Sequence, residues 1–73
     1  MQFTIETRPL TRPSRILATH TVIEAKDPRG AISEFVRRVQ SELVSFATPG
    51  PGRESIGTLK KEDSLFLVRV YEN

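Results

Sequence analysis

Few side chains in this sequence are of a type that does acid–base or nucleophilic chemistry near neutral pH. His20 is the single histidine and there is no cysteine. An imidazole exchanges protons at pH 7, but catalysis needs a nucleophile or a second acid placed beside it. His20 lies within a run rich in β-branched residues, with Thr19 and Thr21 on the opposite face, the setting of a half-exposed strand histidine. Glu24 and Asp27 are two carboxylates close in sequence, a pairing that acid–base hydrolysis uses. Asp27 directly precedes Pro28, however, and that order gives it a structural task as a helix cap. One histidine without thiolates gives no ligand set for zinc. Gly30, Gly50, Gly52 and Gly57 lack the spacing of a phosphate-cradling loop. The sequence therefore predicts no catalytic residue, no metal site and no cofactor, and a protein that is not an enzyme.

The residues with most capacity to bind are arginines. The net charge is +2, and residues 1–15 carry all of it, with Arg8, Arg12 and Arg15 against Glu6. The eight basic and eight acidic groups of residues 16–73 cancel. Arg8 and Arg12 occupy equivalent places in two Thr-Arg-Pro units, four residues apart. A guanidinium presents a rigid fork of donors that suits phosphate or carboxylate. Prolines beside it reduce the entropy that such a segment loses on binding. Arg8, Arg12 and Arg15 are thus candidate anion-binding residues. So local a charge is a weak basis for a general nucleic-acid binder.

A second candidate surface lies near the end of the sequence. Side chains alternate along a strand, so Phe66, Val68 and Val70 face one way. Leu65, Leu67, Arg69 and Tyr71 face the other, and both faces are rich in large apolar groups. Tyr and Arg are enriched at protein interface hot spots. Tyr71 could also stack a base while Arg69 meets a phosphate, although one aromatic makes a thin platform.

These residues need elements to position them. Phe3 and Ile5 alternate with polar neighbours and predict a strand over 3–7. The two prolines in 8–15 predict an Arg/Pro loop. A second strand is expected over 16–25, with apolar groups in mixed phase that suggest two partly covered faces or a bulge. Pro28 opens a helix over 28–46, in which Ile32, Phe35, Val36, Val39, Leu43 and Phe46 recur at three- and four-residue spacing. Glu34 precedes Arg37 and Arg38 at ion-pairing distance on the opposite side. A Pro/Gly loop over 47–53 ends it. Strands over 54–60 and 65–72 follow, the first interrupted by Gly57 and the two joined by a polar turn at Lys61-Glu62-Asp63-Ser64. The order β-β-α-β-β predicts a single small α+β domain, with one amphipathic helix packed on one face of a four-stranded, mostly antiparallel sheet.

Size shapes the functional expectation. A 73-residue chain buries only roughly 60% of the surface that its unfolded form exposes. Without cysteines, association is the remaining way to add stability. One helix covers one sheet face and leaves the other. The expected function is a small non-enzymatic protein-binding or regulatory module, a homodimer or the partner of another protein, with Leu65, Leu67, Arg69 and Tyr71 at the interface. The alternative is a nucleic-acid-binding protein that uses Arg8, Arg12 and Arg15 with Arg69 and Tyr71. No apolar run is long enough to span a membrane. The first six residues lack the features of a signal peptide, so the expected location is cytoplasmic.

Overall fold

In the computed structural model of the chain, which describes residues 1–10, 19–48 and 54–73, Asp27 and Pro28 open helix α1, Pro28–Arg38. Asp27 is extended, and its carboxylate accepts a bond from the Gly30 N–H at 2.7 Å, which satisfies one of the free donors at the helix start. Five strands accompany the helix: β1 (Gln2–Pro9), β2 (Thr19–Glu24), β3 (Glu42–Ala47), β4 (Ser55–Lys61) and β5 (Ser64–Glu72). They form one antiparallel sheet in the order β2-β1-β5-β4-β3. The α+β class agrees with the sequence, but the sheet has five strands where four were expected.

The extra strand comes out of the predicted helix. α1 ends at Arg38, not at residue 46. Two bonds close its end: the Gln40 N–H donates to the Arg37 carbonyl at 3.3 Å and the Ser41 N–H to the Val36 carbonyl at 3.1 Å. These are the paired bonds of a Schellman cap, whose residue just past the helix turns left-handed. That residue is Gln40, with φ of 53°, where glycine is usual and would have marked the stop. β3 then imitates a helix. Its register with β4 slips between Leu43 and Ser45, where Val44 is the additional residue. Leu43 therefore faces Leu59 while Phe46 faces Gly57. A bulge lets two residues three apart share one face of a strand, and three is also a helical spacing.

The other boundaries move less. β1 extends to Pro9, so Arg8 belongs to a strand and not to a loop. Backbone groups alternate sides along a strand, and the Leu10 N–H donates to the Leu65 carbonyl at 2.8 Å. Pro9 therefore directs its nitrogen away from β5, where a missing N–H breaks no bond to that strand. β1 and β2 run in unbroken register from Gln2 opposite Glu24 to Thr7 opposite Thr19, with no bulge. Lys61 pairs with Ser64, which leaves Glu62 and Asp63 as a tight turn with φ of 56° at Glu62. The rest of the predicted Arg/Pro loop beyond Leu10, Arg12 and Arg15 included, and residues 49–53 of the Pro/Gly loop lie outside the described residues.

The core forms between α1 and the sheet. Ala31, Ile32 and Phe35 of the helix are buried against Phe3, Ile5, Ile23, Phe66, Val68 and Val70. α1 packs on β1, β2 and β5. Toward β3 and β4 the cover comes from the sheet's own side chains. The Phe46 ring lies over Gly57, and the Arg29 guanidinium from the first turn of α1 sits 5.5 Å above that ring. Ser55 is fully buried and its hydroxyl donates to Thr48 Oγ1 at 3.1 Å. Glu34 binds Arg37 at 2.6 Å and Arg38 at 2.8 Å on the exposed side of the helix.

Two substitutions test this account in opposite directions. A Cβ on Gly57 would stand 2.5 Å from the Ser45 carbonyl oxygen and 2.9 Å from the Phe46 ring. Gly57→Ala should therefore destabilise by about 1–3 kcal/mol, read as a lower denaturation midpoint. Gln40→Gly should stabilise by roughly 0.5–1 kcal/mol, because glycine adopts the left-handed conformation without a side-chain clash.

Candidate functional site

Alternation fixes what the second face of the sheet displays. β5 turns Phe66, Val68 and Val70 to the helix, so Leu65, Leu67, Arg69 and Tyr71 point to the opposite side. The same face takes Thr4, Glu6 and Arg8 from β1, His20, Val22 and Glu24 from β2, and Ile56, Thr58 and Lys60 from β4. Among the described residues, no element packs over it. Val22 is 50% exposed and Ile56 is 43% exposed, while Leu65, Leu67 and Tyr71 are half-buried by their neighbours.

A polar cluster sits in the middle of this face. Cross-strand register places His20, Glu6, Arg69 and Ile56 in one row across four strands. Arg69 Nη1 donates to Glu6 Oε1 at 3.1 Å. Its Nε and Nη2 donate to Glu54 Oε2 at 3.2 and 2.7 Å. The Tyr71 hydroxyl donates to Glu6 Oε2 at 2.7 Å, and His20 Nε2 lies 3.2 Å from that oxygen. The Arg69 guanidinium also stands 5.9 Å from the centre of the Tyr71 ring, within cation–π range. Beyond Tyr71, the Thr4 hydroxyl donates to Asn73 Oδ1. The cluster thus ties β1, β2 and β5 to the residue that precedes β4.

The groups in the cluster titrate accordingly. The Tyr71 hydrogen bond holds the Glu6 carboxyl below its ordinary range, with help from the charges of Arg69 and His20, against a smaller opposing effect of partial burial. The same bond to Glu6 pushes the Tyr71 hydroxyl up. Glu54, and more weakly Glu6, hold the Arg69 guanidinium more firmly protonated. Chemically the arrangement fixes charge in place: both carboxylates face donors, and three of the Arg69 nitrogens are engaged. Among the described residues, no three His, Asp or Glu side chains gather as a metal site would require. No helix among them is long and apolar enough to cross a membrane.

Leu65, Leu67, Arg69 and Tyr71 stand together on this face. Arg8 joins them, opposite Leu67 across the β1–β5 ladder. Arg12 and Arg15 are outside the described residues, so the anion-binding trio is placed only at Arg8. Glu6, Glu54 and His20 were not anticipated as members of the cluster. Glu6 already reads as an outward residue of β1, but its partner is visible only once β1 is known to lie beside β5, the strand most distant in sequence. No protein-family model, curated protein or solved structure matches the chain.

The acid limb of the stability curve reports on Glu6. Its folded-state value lies below the ordinary 4.5, so its stabilising effect is complete above that ordinary value and is lost as pH falls through the lowered one. Glu34, lowered chiefly by its hydrogen bond to Arg37 and also by Arg38, acts with the same sign. Comparison with Glu6→Gln isolates Glu6. The gap in denaturation midpoint between wild type and variant should shrink as pH falls below the ordinary carboxylate value of 4.5. A gap that does not change with pH would contradict the assignment.

Proposed function

We propose that the chain is a small non-enzymatic protein-binding module that self-associates through the open face of its sheet. The observation that carries this is the composition of that face. Leu65, Leu67, Val22 and Ile56 surround an arginine–tyrosine centre whose hydrogen bonds are already made within the chain. Covering Arg69 therefore leaves no unpaired guanidinium behind, which is the costly part of burying a charge. The chemistry expected of such a surface is complementarity, because the acid–base groups on it are bound to one another and not held in readiness for a substrate.

A second copy of the chain is a suitable occupant. Glu24 and Glu54 lie toward one end of the face, and Arg8 and Lys60 toward the other, with Glu42 opposite Lys60 at the β3 edge. A two-fold axis running across the strands near Arg69 brings Leu67 over Tyr71 of the second copy. It also brings the basic end of one face toward the acidic end of the other. Charge complementarity of this kind fixes register and partner choice.

Nucleic-acid binding through Arg8, Arg12 and Arg15 with Arg69 and Tyr71 has less support. A phosphate at Arg69 competes with Glu6 and Glu54 for the same donors, and the Tyr71 hydroxyl is bound to Glu6. Salt separates the two functions. Phosphate contacts weaken steeply with ionic strength because they release counterions, whereas an apolar contact responds little.

Sedimentation equilibrium tests the proposal. Leu67→Lys places a charge at the centre of the contact and should weaken self-association by about 100-fold. Far-ultraviolet circular dichroism should be unchanged, since Leu67 points away from the core. A variant that associates as the parent does would remove the open face as the contact surface.

A further inference from the structure

Among the described strands, β2 is an outer one, hydrogen-bonded to β1 on one side. The direction of its backbone groups follows from that ladder. The Ala25 N–H donates to the Met1 carbonyl at 2.9 Å. Because backbone groups alternate along an antiparallel strand, Ile23 and Thr21 also turn theirs toward β1. Glu24, Val22 and His20 turn theirs to the free edge, where no described strand meets them. Such a row of donors and acceptors is a template for another strand, and sheets commonly blunt it. β3, the other outer strand, is interrupted by its bulge between Leu43 and Ser45. β2 has an unbroken register and contains no proline, glycine or lysine.

The chemistry of β2 is complementary to itself. Antiparallel pairing about a two-fold axis at Val22 sets Val22 against Val22 of a second copy. It sets His20 against Glu24 of the second copy at both ends, and Thr21 against Ile23. The Val22 and His20–Glu24 pairs all fall on residues whose N–H and C=O face outward, so each closes two backbone bonds. His20 and Glu24 are both exposed, and Val22 is 50% exposed. Within the chain, His20 lies 3.2 Å from Glu6, and Glu24 binds the Met1 amino group at 2.6 Å. A register centred on Glu24 would oppose two carboxylates, and one centred on His20 two imidazoles. Among registers centred on an outward-facing residue, the Val22 one sets an imidazole against a carboxylate at both ends, whereas two facing carboxylates disfavour the Glu24 one.

We propose that β2 pairs antiparallel with β2 of a second copy, centred on Val22, so that the two sheets join edge to edge into one. The axis stands perpendicular to the sheet. Both helices then lie on one side, and both open faces lie side by side on the other as a doubled surface. This contact uses the backbone edge of β2 and does not depend on the open face being an interface, so each surface is available while the other is filled.

Single cysteines test the register, since the chain has none of its own. In the proposed pairing the two copies of residue 22 have Cα atoms about 5.5 Å apart, within disulfide range. The two copies of residue 24 are four residues apart along the pair, about 13 Å, which is out of range. With oxidised glutathione as oxidant, Val22→Cys should form a disulfide-linked dimer at least about ten-fold faster than Glu24→Cys. Cross-linking of Glu24→Cys at the rate of Val22→Cys would overturn the proposal. A fast Ile56→Cys reaction alone would point to the open face instead. Val22→Pro supplies an independent reading, because it removes one outward donor from each copy without touching the β1 ladder. It should weaken the edge contact by about ten-fold or more in sedimentation equilibrium of the Leu67→Lys background, where open-face stacking is suppressed. Unchanged association there would overturn the edge pairing while leaving the open-face proposal intact.

Discussion

The constraint on which this structure depends is the ratio, among the described residues, of one short helix to five strands. Eleven residues make α1, about 16 Å of helix. Five strands at about 4.8 Å spacing make a sheet about 19 Å across between its outer strands. The helix lies over β1, β2 and β5, where Ala31, Ile32 and Phe35 complete the core. It does not extend its main cover to β3 and β4. There the sheet covers itself: Phe46 lies over Gly57, and Arg29 lies over Phe46. With its helix spent on one side, the described chain leaves the other side of the sheet facing solvent.

β5 supplies the middle of that exposed side. It is the middle strand of the sheet, between β1 and β4. Its inward residues Phe66, Val68 and Val70 are buried, and its outward residues are nearly as apolar. Arg69 is the polar member of that outward row, and the structure surrounds it with Glu6 and Glu54. Those ion pairs are exposed, and exposed pairs contribute little to stability. Their larger effect is on what the face can accept. A guanidinium already bridged by two carboxylates is poorly available to phosphate, and it can be covered by another protein without losing its partners.

The sequence carried some of this plainly and some not at all. The alternation at Phe66, Val68 and Val70 is strict because the central strand has a core on one side. The Asp27-Pro28 junction is plain because capping and proline geometry are local. β3 was concealed twice over: by a left-handed cap that uses Gln40 in place of glycine, and by a bulge that spaces Leu43 and Phe46 as a helix would. The cluster at Arg69 was concealed for another reason. Its members come from positions 6, 20, 54, 69 and 71, and only the pairing of the first strand with the last brings them together. Local pattern shows which way a side chain points, but not which strand stands opposite.

The central claim is that the open sheet face is the surface through which this chain meets another protein, its own copy first. Nuclear magnetic resonance of methyl groups with a soluble nitroxide tests it most directly, with attenuation compared between dilute and concentrated protein. Leu65, Leu67 and Ile56 report from the open face, and Val36 and Val39 report from α1 and its C-terminal cap. The account predicts that attenuation at Leu65, Leu67 and Ile56 falls as concentration rises, while Val36 and Val39 stay as they were. Sheet methyls that remain equally accessible at every concentration, or protection confined to the helix side, would contradict it.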